Sequence, residues 1–200
     1  MENLETLNRS IFLYINADDP TSAWLMSVAK FLAKDTLYFL PLLLAALWFW
    51  GGDERRRLAL KSIIVTIVAL AIGTLISLIW VHQRPFMMGI GHTYLPHVAN
   101  ASFPSHHATI FAAIGFCLLA VETRRLGLAV LALGLATSWA RIFMGVHFPL
   151  DIIGGFIVAY AAYRGLSPVW NKYGVAIMRY PLCAYRIAFA PLIARGWVKS

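Results

Sequence analysis

Long apolar runs, separated by short charged or proline-containing segments, make up most of this chain. The clearest run covers residues 58–80, where Lys61 near the start is the only charged side chain. A helix of about 20 apolar residues is long enough to cross the hydrocarbon core of a bilayer. The other runs that we assign as spans cover 23–50, about 107–121, 126–139 and about 149–163. Their number predicts a bundle of five transmembrane helices.

The N-terminal residues follow a different pattern. Leu4, Leu7 and Ile11 recur at rough helical spacing, with polar residues between them. A short amphipathic helix of this kind lies in the plane of the membrane interface. We therefore assign residues 1–20 as an N-terminal interfacial segment.

The C-terminal residues 165–200 carry five basic and no acidic side chains, and Pro181 and Pro191 interrupt them. This pattern predicts a basic cytoplasmic tail made of interfacial helices. A sixth transmembrane helix near 173–193 is the alternative, so the sequence predicts five or six spans.

Composition favours a membrane protein. Hydrophobic residues make up 60% of the chain and charged residues 13%, whereas charged residues make up about 25% of a typical soluble domain. The net charge is +8, but the basic residues flank the apolar runs. This placement argues against a nucleic-acid partner, which requires a solvated basic face. The sequence thus predicts one all-α integral membrane domain, 1–200, whose partner is the bilayer.

The positions of the basic residues predict the orientation of the helices. With five spans, one side of the membrane holds twelve of them: Arg55, Arg56, Arg57, Lys61, Arg124, Arg125, Arg164, Lys172, Arg179, Arg186, Arg195 and Lys199. Lysine and arginine accumulate on the cytoplasmic side, so we expect that side to be cytoplasmic. Segment 81–107 then forms a long extracytoplasmic loop, and every histidine lies on the extracytoplasmic side.

The histidines avoid the middle of every apolar run. They are His82, His92, His97, His106, His107 and His147. Five of them within 26 residues would suit zinc or copper. However, no pair has a strong ligand spacing and no cysteine lies nearby, so the sequence predicts neither a metal ion nor another cofactor.

The segment from Arg141 to Asp151 combines groups that suit phosphoryl chemistry. Pro149 fits the first turn of a helix, which places Asp151 where the helix dipole favours a negative charge. The carboxylate can accept a hydrogen bond from Nδ1 of His147 and leave Nε2 free to attack. The alternative is an interfacial histidine beside an aspartate that only caps the helix.

Two further segments add groups that bind anions. Ser105 precedes the predicted third span, and the first N–H groups of that helix would face an anion together with His106 and His107. Arg84 follows the second span. The alternatives are helix capping by Ser105 and a lipid-headgroup anchor at Arg84.

Taken together, these segments resemble the type 2 phosphatidic acid phosphatase superfamily. The motifs that carry the resemblance are Arg84-Pro85, Pro104-Ser105-x-His107 and Arg141-x5-His147-x3-Asp151. They occur in the order of the family's motifs. Each lies at the end of a predicted helix on one side of the membrane.

Three residues depart from the family pattern: Ser77 replaces a lysine, His106 a glycine and Ala140 a serine. The first two departures, with Phe86 after the first motif, are similar to the bacitracin-resistance branch, the undecaprenyl-diphosphate phosphatases.

The resemblance implies a metal-independent hydrolase that acts on a prenyl diphosphate lipid at the outer face of a bacterial inner membrane. Its product would be the recycled carrier lipid of cell-wall synthesis. His147 would be the nucleophile and form a phosphohistidine, Asp151 would orient it, and His107 would transfer protons. Three residues would hold the phosphoryl oxygens: Arg84, Ser105 and Arg141. His106 would either add a donor for the second phosphate or only fill the glycine position.

Two alternatives remain open. One is a phosphatase or phosphotransferase acting on another lipid phosphate, such as phosphatidylglycerol phosphate, phosphatidate or lipid A. The other is a non-enzymatic membrane transport or metal-binding protein with a histidine-rich outer loop.

Overall fold

The computed structural model describes residues 2–18, 21–120 and 123–200. In these ranges the chain forms α-helices and short 3₁₀ turns and no β-strand, which confirms the all-α prediction. The helices are α1 (Glu2–Ile15), α2 (Ala23–Lys34), α3 (Phe39–Phe49), α4 (Asp53–Ile79), α5 (His106–Leu118), α6 (Arg124–Phe143), α7 (Pro149–Ala188) and α8 (Ala190–Ala194). Residues 1 and 19–20 of the predicted N-terminal segment lie outside the described part, as do residue 121 at the end of the predicted third span and residue 122 after it.

Four helical stretches in the described chain are long and apolar enough to cross a membrane: Ala23–Phe49, α4, α6 and α7. The first is not one continuous α-helix, because the 3₁₀ turn Thr36–Tyr38 joins α2 to α3. The predicted third span is observed as α5, which has 13 residues and is therefore about 20 Å long.

The short helix α5 forms the centre of the bundle. It packs against α4, α6 and α7, and most of its residues are buried. Gly127 of α6 allows the backbones of α5 and α6 to approach closely, because a Cβ there would lie 2.7 Å from the carbonyl carbon of Leu118. Small residues at helix contacts are typical of membrane bundles. This packing fixes the N-terminus of α5 in the middle of one end of the bundle.

The prediction for residues 165–200 is wrong in part, because α7 continues without a break from Pro149 to Ala188. Pro168 and Pro181 lie inside this helix, so neither proline ends it. At 1.5 Å per residue its 40 residues extend about 60 Å, roughly twice the hydrocarbon thickness. The basic second half of α7 therefore prolongs the fifth predicted span.

The end of the chain returns to the corner between α3 and α4. Arg56, which is fully buried, donates to the carbonyl oxygens of Lys199 and Ser200 over 2.7 Å each. Its guanidinium also lies 4.5 Å from the ring centroid of Tyr185. These contacts gather the basic residues of α4 and α7 at the end of the bundle opposite the long loop 81–105.

The helix α1 packs on the other end of the bundle, beside that loop. Phe12 is buried there, and the side-chain oxygen of Asn8 accepts the N–H of Leu150 at the start of α7 over 3.0 Å. Leu4, Leu7 and Tyr14 are exposed, as an amphipathic helix requires. The helical prediction is confirmed, and its position in the membrane interface stays a prediction.

Candidate active site

His147 lies in the turn between α6 and α7, and Asp151 lies in the first turn of α7. Nδ1 of His147 is 3.2 Å from Oδ2 of Asp151. The backbone N–H of Phe148 donates to the same oxygen over 2.8 Å. Both the imidazole and the carboxylate are buried. The two side chains are thus in the predicted hydrogen-bonding arrangement, with Nε2 of His147 directed away from the carboxylate.

Ser102 contacts the same carboxylate from the long loop. Its hydroxyl donates to Oδ2 of Asp151 and lies 3.3 Å from Nδ1 of His147. Because 49 positions separate Ser102 from Asp151, no local spacing indicated this contact. The only signal in the sequence was a polar residue beside the second motif.

Arg84 is held rigidly beside His147 by three hydrogen bonds. Its Nε donates to the side-chain oxygen of Asn100 over 3.0 Å, and Nη2 donates to the carbonyl of Ala101 over 3.1 Å. Nη1 donates to the carbonyl of Val146 over 2.9 Å. The guanidinium is buried, which lowers the pKa of Arg84 to about 10, so it stays charged at neutral pH. A lipid-headgroup anchor would be exposed, so this burial argues against that alternative.

A second buried guanidinium belongs to Arg141 in the last turn of α6. Its Nη1 donates to the carbonyl of Ala33 over 3.1 Å and lies 3.4 Å from Nε2 of His107. In the described chain, its Nε has no hydrogen-bond partner. The two guanidiniums therefore place positive charge beside His107 and His147.

Ser105 occupies the N-cap position of α5, but its side chain makes no capping hydrogen bond. The capping alternative is therefore wrong. The backbone N–H of Ser105 instead donates to the carbonyl of Asp151 over 2.9 Å, which ties the start of α5 to α7. Its buried hydroxyl has no hydrogen-bond partner among the residues that the structure describes.

A cavity of about 370 Å³ lies between these elements. The charged and titratable side chains of its polar wall are Arg84, His97, His106, His107, Arg141 and His147. Its apolar wall includes Leu78 and Val81, which are 72% and 66% exposed at the end of α4. The cavity thus joins a polar chamber to an apolar outer surface.

The predicted site residues occupy different positions around this cavity. Five of them line it: Arg84, His106, His107, Arg141 and His147. Asp151 lies behind His147, and Ser105 is buried outside the lining. The structure adds His97 and Asn100 to the wall. Ser77, which replaces the family lysine, also lines the cavity, and its hydroxyl donates to the carbonyl of Phe103 over 2.8 Å.

Burial sets the protonation of the histidines in the polar wall. It lowers the pKa of His147 well below the usual value, and the neighbouring Asp151 only partly opposes this effect. Burial also lowers the pKa of His97. His147 is therefore neutral at neutral pH, with a lone pair on Nε2 available for attack.

Among the described residues, no group of three or more His, Cys, Asp or Glu side chains converges in an arrangement that could hold a metal ion. The cavity instead brings together two guanidiniums and several imidazoles. Guanidinium groups recognise phosphate oxygens in a bidentate manner, and a neutral imidazole oriented by a carboxylate can act as a nucleophile.

The fold and the site together define a protein of the membrane-embedded phosphatase class. The family model described as PAP2 superfamily matches residues 58–174. The chain belongs to the PAP2 superfamily, as the three motifs predicted.

Two relatives place the chain within this family. YbjG of Escherichia coli (strain K12), whose name includes undecaprenyl-diphosphatase, is 34% identical over 197 residues, which are 98% of this chain and 100% of YbjG. Undecaprenyl-diphosphatase BcrC of Bacillus subtilis (strain 168) is 35% identical over 153 residues, 76% of this chain and 79% of BcrC. The resemblance to the bacitracin-resistance branch is confirmed.

Two crystal structures share the fold. Aquifex aeolicus LpxE gives a TM-score of 0.65 at 21% identity and covers 78% of this chain and 92% of its own. The PAP2 type phosphatidylglycerolphosphate phosphatase from Bacillus subtilis gives a TM-score of 0.63 at 16% identity, covering 86% of this chain and 88% of its own. At these identities the similarity establishes the architecture alone.

Proposed function

We propose that this protein hydrolyses undecaprenyl diphosphate to undecaprenyl phosphate and inorganic phosphate through a phosphohistidine on His147, without a metal ion. The observation that carries the proposal is the pairing of His147 with Asp151 at a cavity that Arg84, Arg141 and His107 also line. A carboxylate-oriented imidazole beside two guanidiniums suits nucleophilic attack on a phosphoryl group.

The reaction proceeds in two displacements at one phosphorus. Nε2 of His147 attacks the terminal phosphorus, and the bond from that phosphorus to the bridging oxygen breaks. Burial and Arg141 lower the pKa of His107, and the negative charge of the bound diphosphate opposes this effect. His107, protonated beside the diphosphate, donates its proton to that oxygen, and undecaprenyl phosphate leaves. His107 then accepts a proton from water, whose oxygen attacks the phosphorus and breaks the phosphorus–nitrogen bond. Inorganic phosphate leaves, and His147 is regenerated.

Positioning and charge supply most of the catalysis in such a transfer. In this proposal, Asp151 holds the proton on Nδ1 of His147 throughout both steps. Arg84 and Arg141 offset the negative charge of the phosphoryl oxygens. Ser105 and the first N–H groups of α5 add neutral donors, since the Ser105 hydroxyl is unpaired in the described structure.

Support for a lipid substrate comes from the apolar wall. Leu78 and Val81 connect the cavity to the outer surface of α4, so a prenyl chain can stay in the hydrocarbon layer while its headgroup reaches His147. The choice of undecaprenyl diphosphate follows the names of the relatives YbjG and BcrC. We place the site on the outer face of the bacterial inner membrane, because the basic residues gather at the opposite end of the helices.

The proposal is tested by phosphate release from undecaprenyl diphosphate in detergent micelles that contain EDTA. We expect His147→Ala to lower kcat by about three or more orders of magnitude, because it removes the nucleophile. A substrate with an activated leaving group needs no proton from His107 in the first step. With such a substrate, His107→Ala should form the phosphoenzyme but hydrolyse it slowly, so that the phosphoenzyme accumulates. Activity that survives in His147→Ala, or that EDTA removes, contradicts the proposal.

A panel of lipids tests the substrate. Undecaprenyl diphosphate, phosphatidylglycerol phosphate, phosphatidate and lipid A are compared by kcat/KM with the same purified protein. Preference for any of the last three would replace the prenyl diphosphate and retain the phosphohistidine. No phosphate release from the whole panel would favour a transport or binding protein instead.

A further inference from the structure

A second imidazole stands on the far side of the carboxylate that orients the nucleophile. Nδ1 of His82 lies 3.4 Å from Oδ1 of Asp151, whereas Nδ1 of His147 faces Oδ2. Both His82 Nδ1 and Asp151 Oδ1 are buried, and within the described ranges neither atom has a hydrogen-bond partner. The carboxylate thus lies between two imidazoles, one at each oxygen.

The ring of His82 is fixed by its surroundings. It meets the ring of Phe148 edge to face at 5.6 Å and the ring of Trp80 at 5.6 Å, measured between centroids. The backbone carbonyl of His82 accepts the N–H of Ser102 over 2.7 Å. Ser102 is itself a donor to Asp151, so the two loop residues that contact the carboxylate are tied to each other.

The N-terminal helix α1 contacts the other nitrogen of the His82 ring. Nε2 of His82 lies 3.8 Å from Oε2 of Glu5 on α1. The His82 side chain is 17% exposed and does not line the cavity. Glu5, His82, Asp151 and His147 therefore form a continuous series of polar contacts from the surface of α1 to the cavity.

We propose that His82 is a positioning residue of the phosphoryl-transfer site: its Nδ1–H donates to the Asp151 oxygen that His147 leaves free, and so fixes the carboxylate that orients His147. The inference rests on the proposed function and adds to it a residue outside the family's motifs. The neighbouring Asp151 also raises the pKa of His82, consistent with a donor facing a carboxylate. A buried carboxylate held on both oxygens keeps a single orientation, which transfer from a fixed imidazole requires.

Asparagine and glutamine separate this role from a general structural one. The amide nitrogen of asparagine occupies the place of Nδ1, whereas that of glutamine occupies the place of Nε2. We expect His82→Asn to keep kcat for undecaprenyl diphosphate within about threefold of the wild type. His82→Gln and His82→Ala should lose about 10- to 100-fold in kcat with little change in KM, the size expected for one hydrogen bond to a charged group.

His92→Asn serves as the matched control, because His92 lies in the same loop but is exposed and does not line the cavity. It should match the wild type. Melting temperatures in detergent are compared for all variants, so that a loss of folding in His82→Ala is recognised. Equal kcat in His82→Asn and His82→Gln, whether high or low, overturns the positioning role.

A second measurement works without any lipid. Diethyl pyrocarbonate acylates neutral imidazoles, and mass spectrometry reports the modification rate at His147 alone. His82→Gln should slow this rate several-fold relative to the wild type, and His82→Asn should not. The proposed function fails, and the positioning role stands, if the wild type releases no phosphate but His147 is modified more slowly in His82→Gln than in His82→Asn. The positioning role alone fails if the wild type releases phosphate but the two variants have equal modification rates and equal kcat.

Discussion

Nη1 of Arg84 lies 3.2 Å from Nε2 of His147, the nitrogen that the proposed mechanism uses for attack. The same Nη1 donates to the carbonyl of Val146 one residue earlier, so the guanidinium is anchored to the turn that carries the imidazole. A phosphoryl group that binds to Arg84 therefore arrives next to Nε2. Binding and alignment for attack become one event, which is how positioned groups lower the barrier of a bimolecular reaction.

Replacing Arg84 by lysine should be nearly as damaging as removing it. Lysine keeps the charge but cannot donate at once to Asn100, Ala101 and Val146, as the guanidinium does. We expect Arg84→Lys and Arg84→Ala each to lower kcat/KM for undecaprenyl diphosphate by about 100-fold or more. Steady-state phosphate release measures this loss.

The control for this substitution is Arg124→Lys, at an exposed position at the other end of the bundle. It should leave kcat/KM within about twofold of the wild type. Retention of activity in Arg84→Lys would show that only the charge matters, and would contradict a role for the fixed guanidinium geometry.

The fold was largely predictable because bilayer thickness imposes a simple length on apolar runs. The apolar runs predicted α4, α6 and the broken helix formed by α2 and α3, with small errors in the first and last residues of each. The error at α7 has a physical cause. Pro181 was expected to interrupt the chain, but it lies inside α7. A proline inside a helix removes one hydrogen bond, and helices in membrane bundles tolerate that loss.

From residue spacing alone, the site was predictable only where its residues lie close together in the sequence. His147 and Asp151 are four positions apart, so helical geometry alone brings them together. Arg84, His107 and Arg141 were assigned through the family motifs. Ser102 and Asn100 belong to a loop whose path depends on tertiary contacts, and no periodic pattern specifies where such a loop places its side chains.

Gly145 should be essential for the turn that carries His147. Its φ is +81°, and a Cβ there would lie 2.1 Å from the carbonyl oxygen of His92. Gly145→Ala therefore combines backbone strain with a clash against the loop. We expect it to destabilise the protein by about 2 kcal/mol or more and to lower phosphate release. The apparent melting temperature in detergent measures the first effect.

Gly165→Ala is the matched control, because an added Cβ meets nothing within 4 Å and the residue lies inside α7. Alanine favours the interior of a helix over glycine by about 0.5–1 kcal/mol, so this variant should be as stable as the wild type or slightly more stable. A Gly145→Ala protein with wild-type stability would contradict the positive-φ turn.

The stability of the protein should decrease in acid partly because of His147. Its pKa is lowered in the folded protein by burial, so below about pH 6.5 the unfolded chain binds a proton that the folded protein does not. Stability is therefore present above the unfolded pKa and is lost as the pH falls towards the lowered folded pKa. His82 acts in the opposite direction, because its pKa is raised.

We measure this effect by reversible unfolding in mixed micelles at pH 7 and pH 5.5. His147→Gln removes the titrating group, so the wild type should lose about 1 kcal/mol more than the variant over this interval. The comparison between the two pH values cancels the constant cost of the substitution. An equal loss in both proteins would mean that folding does not lower the pKa of His147.

His106 should recognise the second phosphate of a diphosphate. It lines the cavity with His107 and Arg141 and occupies the position where the family pattern has glycine, so its imidazole adds a donor to the polar wall. We expect His106→Ala to weaken inhibition by inorganic pyrophosphate about tenfold, the value of one charge-assisted hydrogen bond. Inhibition by inorganic phosphate, which needs only the site at His147, should change less than twofold. His92→Ala, outside the cavity lining, serves as the control and should change neither inhibition constant. An equal effect of His106→Ala on both inhibitors would mean that the imidazole only fills the glycine position.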